Sequence, residues 1–316
     1  MQWHTPFGFP DFQPSIRLQD KIFLNGSCFS QHMYRFLKES GYQVAHNTHG
    51  ILFNPLSIIR SLNDVMENKI YRPEDLFQLN EYWHSWMHHS DFSDLHPENA
   101  LNKINSSIEA HHHFLKEARI LILTLGSAFA YYHLAHGFYV SNNHRAPQQD
   151  FRRDLLEVSD IKSGLQQLLD TLHQFNPSLR VIFTISPVRH IREGLIDNNR
   201  SKARLIEAVH DLNPIYYFPA YELVMDVLRD YRFYDVDKAH PNYEATAYVW
   251  EEFAAHCLHA EDAALREAVE QLFRAARHKP RDTRTNAHQQ FIAQQHTLYQ
   301  SVRQQLPHLL IEEFML

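Results

Sequence analysis

The run Ile120-Leu121-Ile122-Leu123-Thr124-Leu125 constrains the fold more than any other stretch of the chain. Apolar side chains at successive strand positions point to both sides, so both faces must be covered, as in the middle of a parallel sheet. Weaker runs of the same kind recur at Lys21-Ile22-Phe23-Leu24, Gln43-Val44-Ala45, Val181-Ile182-Phe183-Thr184-Ile185 and Tyr216-Tyr217-Phe218. Between them the apolar spacing becomes helical. Phe29, Met33, Phe36 and Leu37 share one face before Gly41, and Leu56, Ile59 and Leu62 follow Asn54-Pro55. Further helices are predicted over Ile161 to Phe175 and Ser201 to Leu212. Strands alternating with helices predict a mostly parallel, doubly wound α/β sheet.

From Glu244 onward the chain reads as helix almost throughout, with a turn at Lys279-Pro280-Arg281-Asp282 and a last helix over Asn286 to Gln305. The expected division is an α/β domain over residues 1–257, carrying an insertion at about 64–117, and a helical appendage over 258–316. Leu265, Val269, Leu272 and Phe273 form an apolar stripe on that appendage, which favours packing on the same chain over a subunit contact. The sequence sets no oligomeric state.

With 316 residues, 44% apolar and 21% charged, the chain can bury a large core and is not a disordered type. A formal net charge of −7 supplies no basic footprint for nucleic acid or an acidic membrane. Two cysteines, Cys28 and Cys257, cannot build a disulfide framework. No apolar run approaches the ~20 residues that cross a bilayer. Met1-Gln2-Trp3-His4-Thr5-Pro6 lacks the basic and apolar parts of a signal peptide. The expectation is a soluble cytoplasmic protein with no membrane or nucleic-acid partner.

The 24 histidines raise the question of a metal. His84 and His88 are spaced for one helix face, Asp91 and His96 lie nearby, and His111-His112-His113 form a second cluster. No cysteine pair or His-Glu-x-x-His frame accompanies them, so neither a metal nor a cofactor is expected. Trp83 and Trp86 can instead line an acyl or sugar pocket in the insertion.

Two segments carry candidate chemistry. Ser27, in Gly26-Ser27-Cys28-Phe29, stands where an apolar run meets a helix, at the carboxyl edge of the expected sheet. It reads either as a helix N-cap or as a nucleophile beside amides that can hold an oxyanion. Asp237-Lys238-Ala239-His240-Pro241-Asn242 reads either as a capped helix start or as a general base with its orienting carboxylate.

Together these segments resemble the SGNH hydrolases, and more closely the bacterial GSCFA family. The residues that carry the resemblance run in order from about 20 to 255. They are Asn25-Gly26-Ser27-Cys28-Phe29-Ser30, Gly50-Ile51-Leu52-Phe53-Asn54-Pro55, Thr124-Leu125-Gly126-Ser127-Ala128 and Ser186-Pro187-Val188-Arg189-His190. Asn198 with Ser201-Lys202-Ala203, Tyr217-Phe218-Pro219-Ala220-Tyr221-Glu222, Arg229-Asp230-Tyr231-Arg232-Phe233-Tyr234 and the Asp237 to Asn242 segment complete the set.

The resemblance implies a three-layer sheet with flavodoxin-like strand order, Ser27 as nucleophile, His240 as base and Asp237 as its partner. It implies an oxyanion hole from the amides of Ser27 and Gly50. The SGNH block-three Asn is missing, since Gly126-Ser127-Ala128-Phe129 stands there. Asn143 and His144 are the candidate replacements, with the Ser127 hydroxyl a second possibility. Asn143-His144 otherwise reads as a solvated turn. Arg189 and His190 are candidates, with His144, for holding the substrate, and otherwise read as loop surface. Lys202 and Glu222 read as structural ion pairs or helix caps, Tyr231 and Phe233 as packing for a last strand, and Cys28 as a small buried hydrophobe. The implied activity is a serine esterase or deacetylase acting on an O-acyl, mainly acetyl, ester of a carbohydrate or small molecule. An O-acyltransferase with the same triad and a degenerate binding protein on the same fold are the alternatives. A metal-dependent hydrolase stands third.

Overall fold

A computed structural model describes residues 6–213 and 215–314; the N-terminal segment read for a signal peptide lies, through Thr5, outside them. In chain order the strands are β1 (Lys21–Gly26), β2 (Gln43–His46), β3 (Phe77–Leu79), β4 (Tyr82–His84), β5 (Ile120–Leu125), β6 (Phe129–His133), β7 (Phe138–Val140), β8 (Phe151–Leu155), β9 (Arg180–Ile185) and β10 (Tyr216–Tyr217). The helices are α1 (Phe29–Glu39), α2 (Pro55–Met66), α3 (Pro97–Glu117), α4 (Val158–Phe175), α5 (Leu195–His210), the single turn α6 (Ala220–Glu222), α7 (Tyr243–Cys257), α8 (Ala263–Ala276) and α9 (Asn286–Gln305).

The central sheet has five strands in the order β10-β9-β5-β1-β2, every neighbouring pair parallel. This is the flavodoxin-like order, with β5 in the middle, and all six of its residues are buried. Side-chain alternation divides the core between two layers. Ile22, Leu24, Ile120, Ile122 and Ile182 pack with α1, α7, α8 and α9, while Phe23, Leu121, Leu123 and Phe183 pack with α2, α4 and α5. Each fully buried Leu, Ile or Phe contributes roughly 1.5–3 kcal/mol relative to an exposed one, so β1 and β5 anchor both layers. Asn54 caps α2 by accepting the Ser57 N–H at 3.0 Å, with Pro55 in the first turn, where its missing N–H costs nothing.

The C-terminal helices share the core cluster of α1. Val269 and Leu272 of α8 and Tyr299 and Val302 of α9 are buried in it, Ser40 Oγ donates to Glu270 at 2.7 Å, and the Gly41 carbonyl accepts from His308 at 2.8 Å. No helix among the described residues is long and apolar enough to cross a membrane.

Two elements differ from the sequence expectation. Residues 77–84 form the antiparallel hairpin β3–β4 instead of a helix, with Asn80 and Glu81 both at positive φ in its turn, so His84 and His88 do not share a helix face. Tyr231 and Phe233 belong to a 3-10 turn and not a strand, and Tyr231 is 55% exposed. A small antiparallel sheet, β7-β6-β8, also follows β5 and was not expected.

Candidate active site

The carboxyl ends of β1, β5 and β9 open at one edge of the sheet, where Ser27, Gly126 and Ser186 follow them. β1 ends at Gly26, whose φ of +145° lets the chain turn into α1, and the Ser27 N–H extends the ladder by donating to Thr124 O at 3.1 Å. Ser27 is 1% exposed, its Oγ has no partner, and it caps nothing; Cys28 takes the N-cap position. Ser27 O accepts from Ser30 N–H at 2.9 Å and Ser30 Oγ at 2.6 Å, which locks the first turn. Cys28 is only partly buried.

Asp237 and His240 do form a pair. His240 Nδ1 lies 2.6 Å from Asp237 Oδ2, while Asp237 Oδ1 accepts the N–H groups of Ala239 at 2.9 Å and His240 at 3.0 Å. The hydrogen bond from His240, followed by those amides, holds the Asp237 pKa down at about 2. The loop is closed by Asp235 N–H to His240 O at 2.8 Å and by Lys238 at φ +59°. The following helix is capped by Asn242, which accepts the Ala245 N–H at 3.0 Å. Both side chains are about half exposed, at 46% for His240 and 49% for Asp237.

The expected oxyanion amides are both spent. The Ser27 N–H goes to Thr124 O, and the Gly50 N–H closes a turn onto Asn47 O at 2.8 Å. Asn143 lies in a turn in which its carbonyl accepts the Ala146 N–H at 2.8 Å and its Oδ1 the Arg145 N–H at 3.3 Å. His144 is 8% exposed, with Nε2 2.8 Å from Ser85 O and its ring packed against Phe77, His84 and Trp86 of the insertion. Ser127 Oγ is occupied by the Phe129 N–H at 3.1 Å and Ser201 Oγ at 3.3 Å.

Arg189 and His190 lie beside the dyad instead of on a bare loop. The Arg189 N–H holds Ala239 O at 3.0 Å, and its guanidinium sits 4.3 Å from the Tyr234 ring and 4.9 Å from that of Tyr231. His190 packs edge-on to Phe53 at 5.3 Å and donates its N–H to Asn198 at 2.9 Å. Burial, then the charges of Lys202 and His240, lower its pKa to about 3, so it is neutral.

Sequence reasoning missed Lys202. It is 1% exposed on α5, with no carboxylate partner among the described residues, and its ammonium donates to Gly126 O at 2.7 Å and Ser186 O at 2.6 Å. Burial pulls its pKa down to about 7, with the Cys28 charge acting in the opposite direction. It ties the ends of β5 and β9 together beneath the site. Glu222 is likewise no ion pair; it accepts the Tyr217 hydroxyl at 2.8 and 2.9 Å, and burial raises its pKa.

The histidine-rich insertion forms a buried network. His49 bridges Asp64 (3.0 Å) and Ser61 Oγ (2.9 Å), stacks on His88 at 4.0 Å, and shares Asp64 with Tyr71, whose hydroxyl donates at 2.6 Å. Trp86 stacks on Phe77 at 3.6 Å, and the two rings line a cavity in the insertion together with Arg60, Tyr71 and His136. Among the described residues no three His, Cys, Asp or Glu side chains converge as metal ligands. Burial lowers the pKa of His49, despite Asp64, and takes that of His88 well below its usual value. Burial opposes ionisation of Asp64, but bonds from His49 and Tyr71 with the Lys69 charge outweigh it and hold its pKa low. Such a group stabilises the fold above its unfolded pKa and loses that contribution as pH falls through its folded value. Tyr71→Phe should therefore cost about 1.5–3 kcal/mol in urea unfolding at neutral pH, the value of a hydrogen bond to a charged group, with the deficit shrinking in acid. Equal stability of the two proteins at neutral pH would show that the Tyr71 bond carries nothing.

The GSCFA family model matches residues 21–253 of the chain. A solved Streptococcus pneumonia structure, provisionally named a platelet activating factor, is similar over 76% of this chain and 86% of its own, at 8% identity and a TM-score of 0.37. No curated protein matches.

Proposed function

The chain belongs to the GSCFA family, and from that premise we propose that it hydrolyses an O-acyl ester through a covalent acyl-enzyme. The observation that supports this best is the Asp237–His240 pair, standing at the sheet edge beside the N-terminus of α1. His240 takes a proton from a nucleophile at the β1–α1 junction and returns it to the leaving alkoxide, while Asp237 keeps Nδ1 protonated so that Nε2 is the base. A second cycle with water releases the acid. Phe53 and His190 wall the junction, which favours a short acyl group, acetyl first, carried on a carbohydrate or another small molecule.

Purified protein should turn over p-nitrophenyl esters, with kcat/KM highest for acetate and falling toward octanoate, and should release acetate from acetylated sugars. Rates no higher than those of the heat-unfolded protein across the series would remove ester hydrolysis as its activity.

A further inference from the structure

Building on the acyl-enzyme reading above, we infer that the nucleophile is Cys28 and not Ser27. The two adjacent side chains have opposite fates because β1 ends between a ladder bond and a helix. Ser27 is still held by β5 through its N–H, and its Cβ lies under Gly126 so closely that a methyl group there would approach it to 3.2 Å. Its Oγ is sealed from solvent and meets no base. Cys28 is the first residue free of the sheet, and it is partly exposed.

Position along α1 places Cys28 under the dyad. Cys28 and His32 are four apart and share a helix face. Cys28 lies in the field of Asp237, and His32 in the fields of His240 and Asp235, so this face is the one turned toward the Asp235–His240 loop. One turn further, Phe36 meets the ring of Tyr243, the residue that opens α7. Groups that favour a thiolate also stand beside the thiol. The N–H groups of Cys28 and Phe29 point at Sγ from the start of an eleven-residue helix, and Lys202, 1% exposed, acts on it from beneath. Burial leaves the thiol pKa above its usual value, and these amides and the ammonium offset that rise only in part, so deprotonation rests on His240 as base. Two of the three N–H donors of Lys202 go to Gly126 and Ser186 carbonyls, which leaves one for the charge that develops beside Cys28.

The chemistry balances without a co-reactant other than water. His240 Nε2 takes the Sγ proton, Sγ forms a bond to the acyl carbon, and the acyl C–O bond breaks as the alkoxide leaves with that proton. Water then attacks the thioester, giving its proton to His240, and the carboxylic acid departs as the thiol is restored. The amides of Cys28 and Phe29 take the oxyanion role that those of Ser27 and Gly50 cannot fill.

Two readouts separate this inference from the activity. Acid-quenched protein from a p-nitrophenyl acetate reaction should carry its acetyl group on Cys28 by fragment mass spectrometry, and neutral hydroxylamine should remove it as a thioester. Cys28→Ala should lower kcat by roughly 10³-fold or more. Iodoacetamide should alkylate Cys28 in the wild type, and more slowly in His240→Ala. An acetyl on Ser27 Oγ, or Cys28→Ala retaining turnover, overturns the inference while ester hydrolysis stands. His240-dependent alkylation of Cys28 in a protein that turns over no ester upholds the activated thiol and removes the hydrolase. Neither alkylation nor turnover removes both.

Discussion

Asp237→Asn should fold normally and lose about 10⁴-fold in kcat/KM on p-nitrophenyl acetate, close to the loss in His240→Ala. The reason is the tautomer. Asp237 Oδ1 already accepts two backbone N–H groups, and Oδ2 receives the His240 Nδ1 proton. An Asn keeping its carbonyl oxygen on the two amides must turn its NH₂ toward His240. Nδ1 then becomes the acceptor, the ring proton moves to Nε2, and the nitrogen facing the nucleophile can no longer take a proton. Stability should hardly change, because the pair is about half exposed and solvent screens it. The sign of the pH dependence follows from the low Asp237 pKa: the carboxylate stays charged until pH falls toward about 2, so Asp237 is not the source of any loss of rate at milder acidity. An Asn variant within tenfold of wild type, with an unchanged melting curve, would mean that Asp237 holds the loop and not the base.

The sheet was legible because its physics is local. A six-residue run buried on both faces has few other places to go, and β5 occupies the predicted residues and the centre of the sheet. The dyad was legible for the same reason: Asp237 and His240 are three apart, and one short turn brings them together. What failed was remote or ambiguous. The His84/His88 spacing fits a helix, but Tyr82-Trp83-His84 also alternates as a strand, and the Asn80-Glu81 turn decides for the hairpin. Asn at such a position was the available signal. The amides of Ser27 and Gly50 belong to the motif, yet no motif says whether an N–H is already spent; the acceptors here are Thr124 and Asn47. Lys202 read as a structural ion pair or helix cap because its two carbonyl partners lie 76 and 16 residues away in the chain.

Gly26→Ala should be the most damaging single-methyl change in the site, lowering unfolding stability by about 4 kcal/mol or more. Gly26 sits at φ +145°, a conformation that costs any side chain, and a Cβ there would stand 2.1 Å from Thr124 O and 2.9 Å from Thr124 C. Those are backbone atoms of the central strand, already fixed by pairing with β1 on one side and β9 on the other, so they cannot swing away as a side-chain tip could. Relief requires separating the ends of β1 and β5. That breaks Ser27 N–H to Thr124 O (3.1 Å) and strains Leu52 N–H to Gly26 O (3.0 Å) and Gly26 N–H to Asn47 Oδ1 (2.9 Å). These bonds hold the start of α1 and the Asn47–Leu52 turn, so any fraction that folds should also present Cys28 in the wrong place and lose turnover beyond its loss of stability. Gly8→Ala is the control: a Cβ at Gly8 meets nothing within 4 Å, and its urea midpoint should correspond to a change within about 0.5 kcal/mol. If Gly26→Ala unfolds at the same urea concentration as Gly8→Ala, the close approach of β1 to Thr124 is not what fixes this junction, and the burial of Ser27 needs another cause.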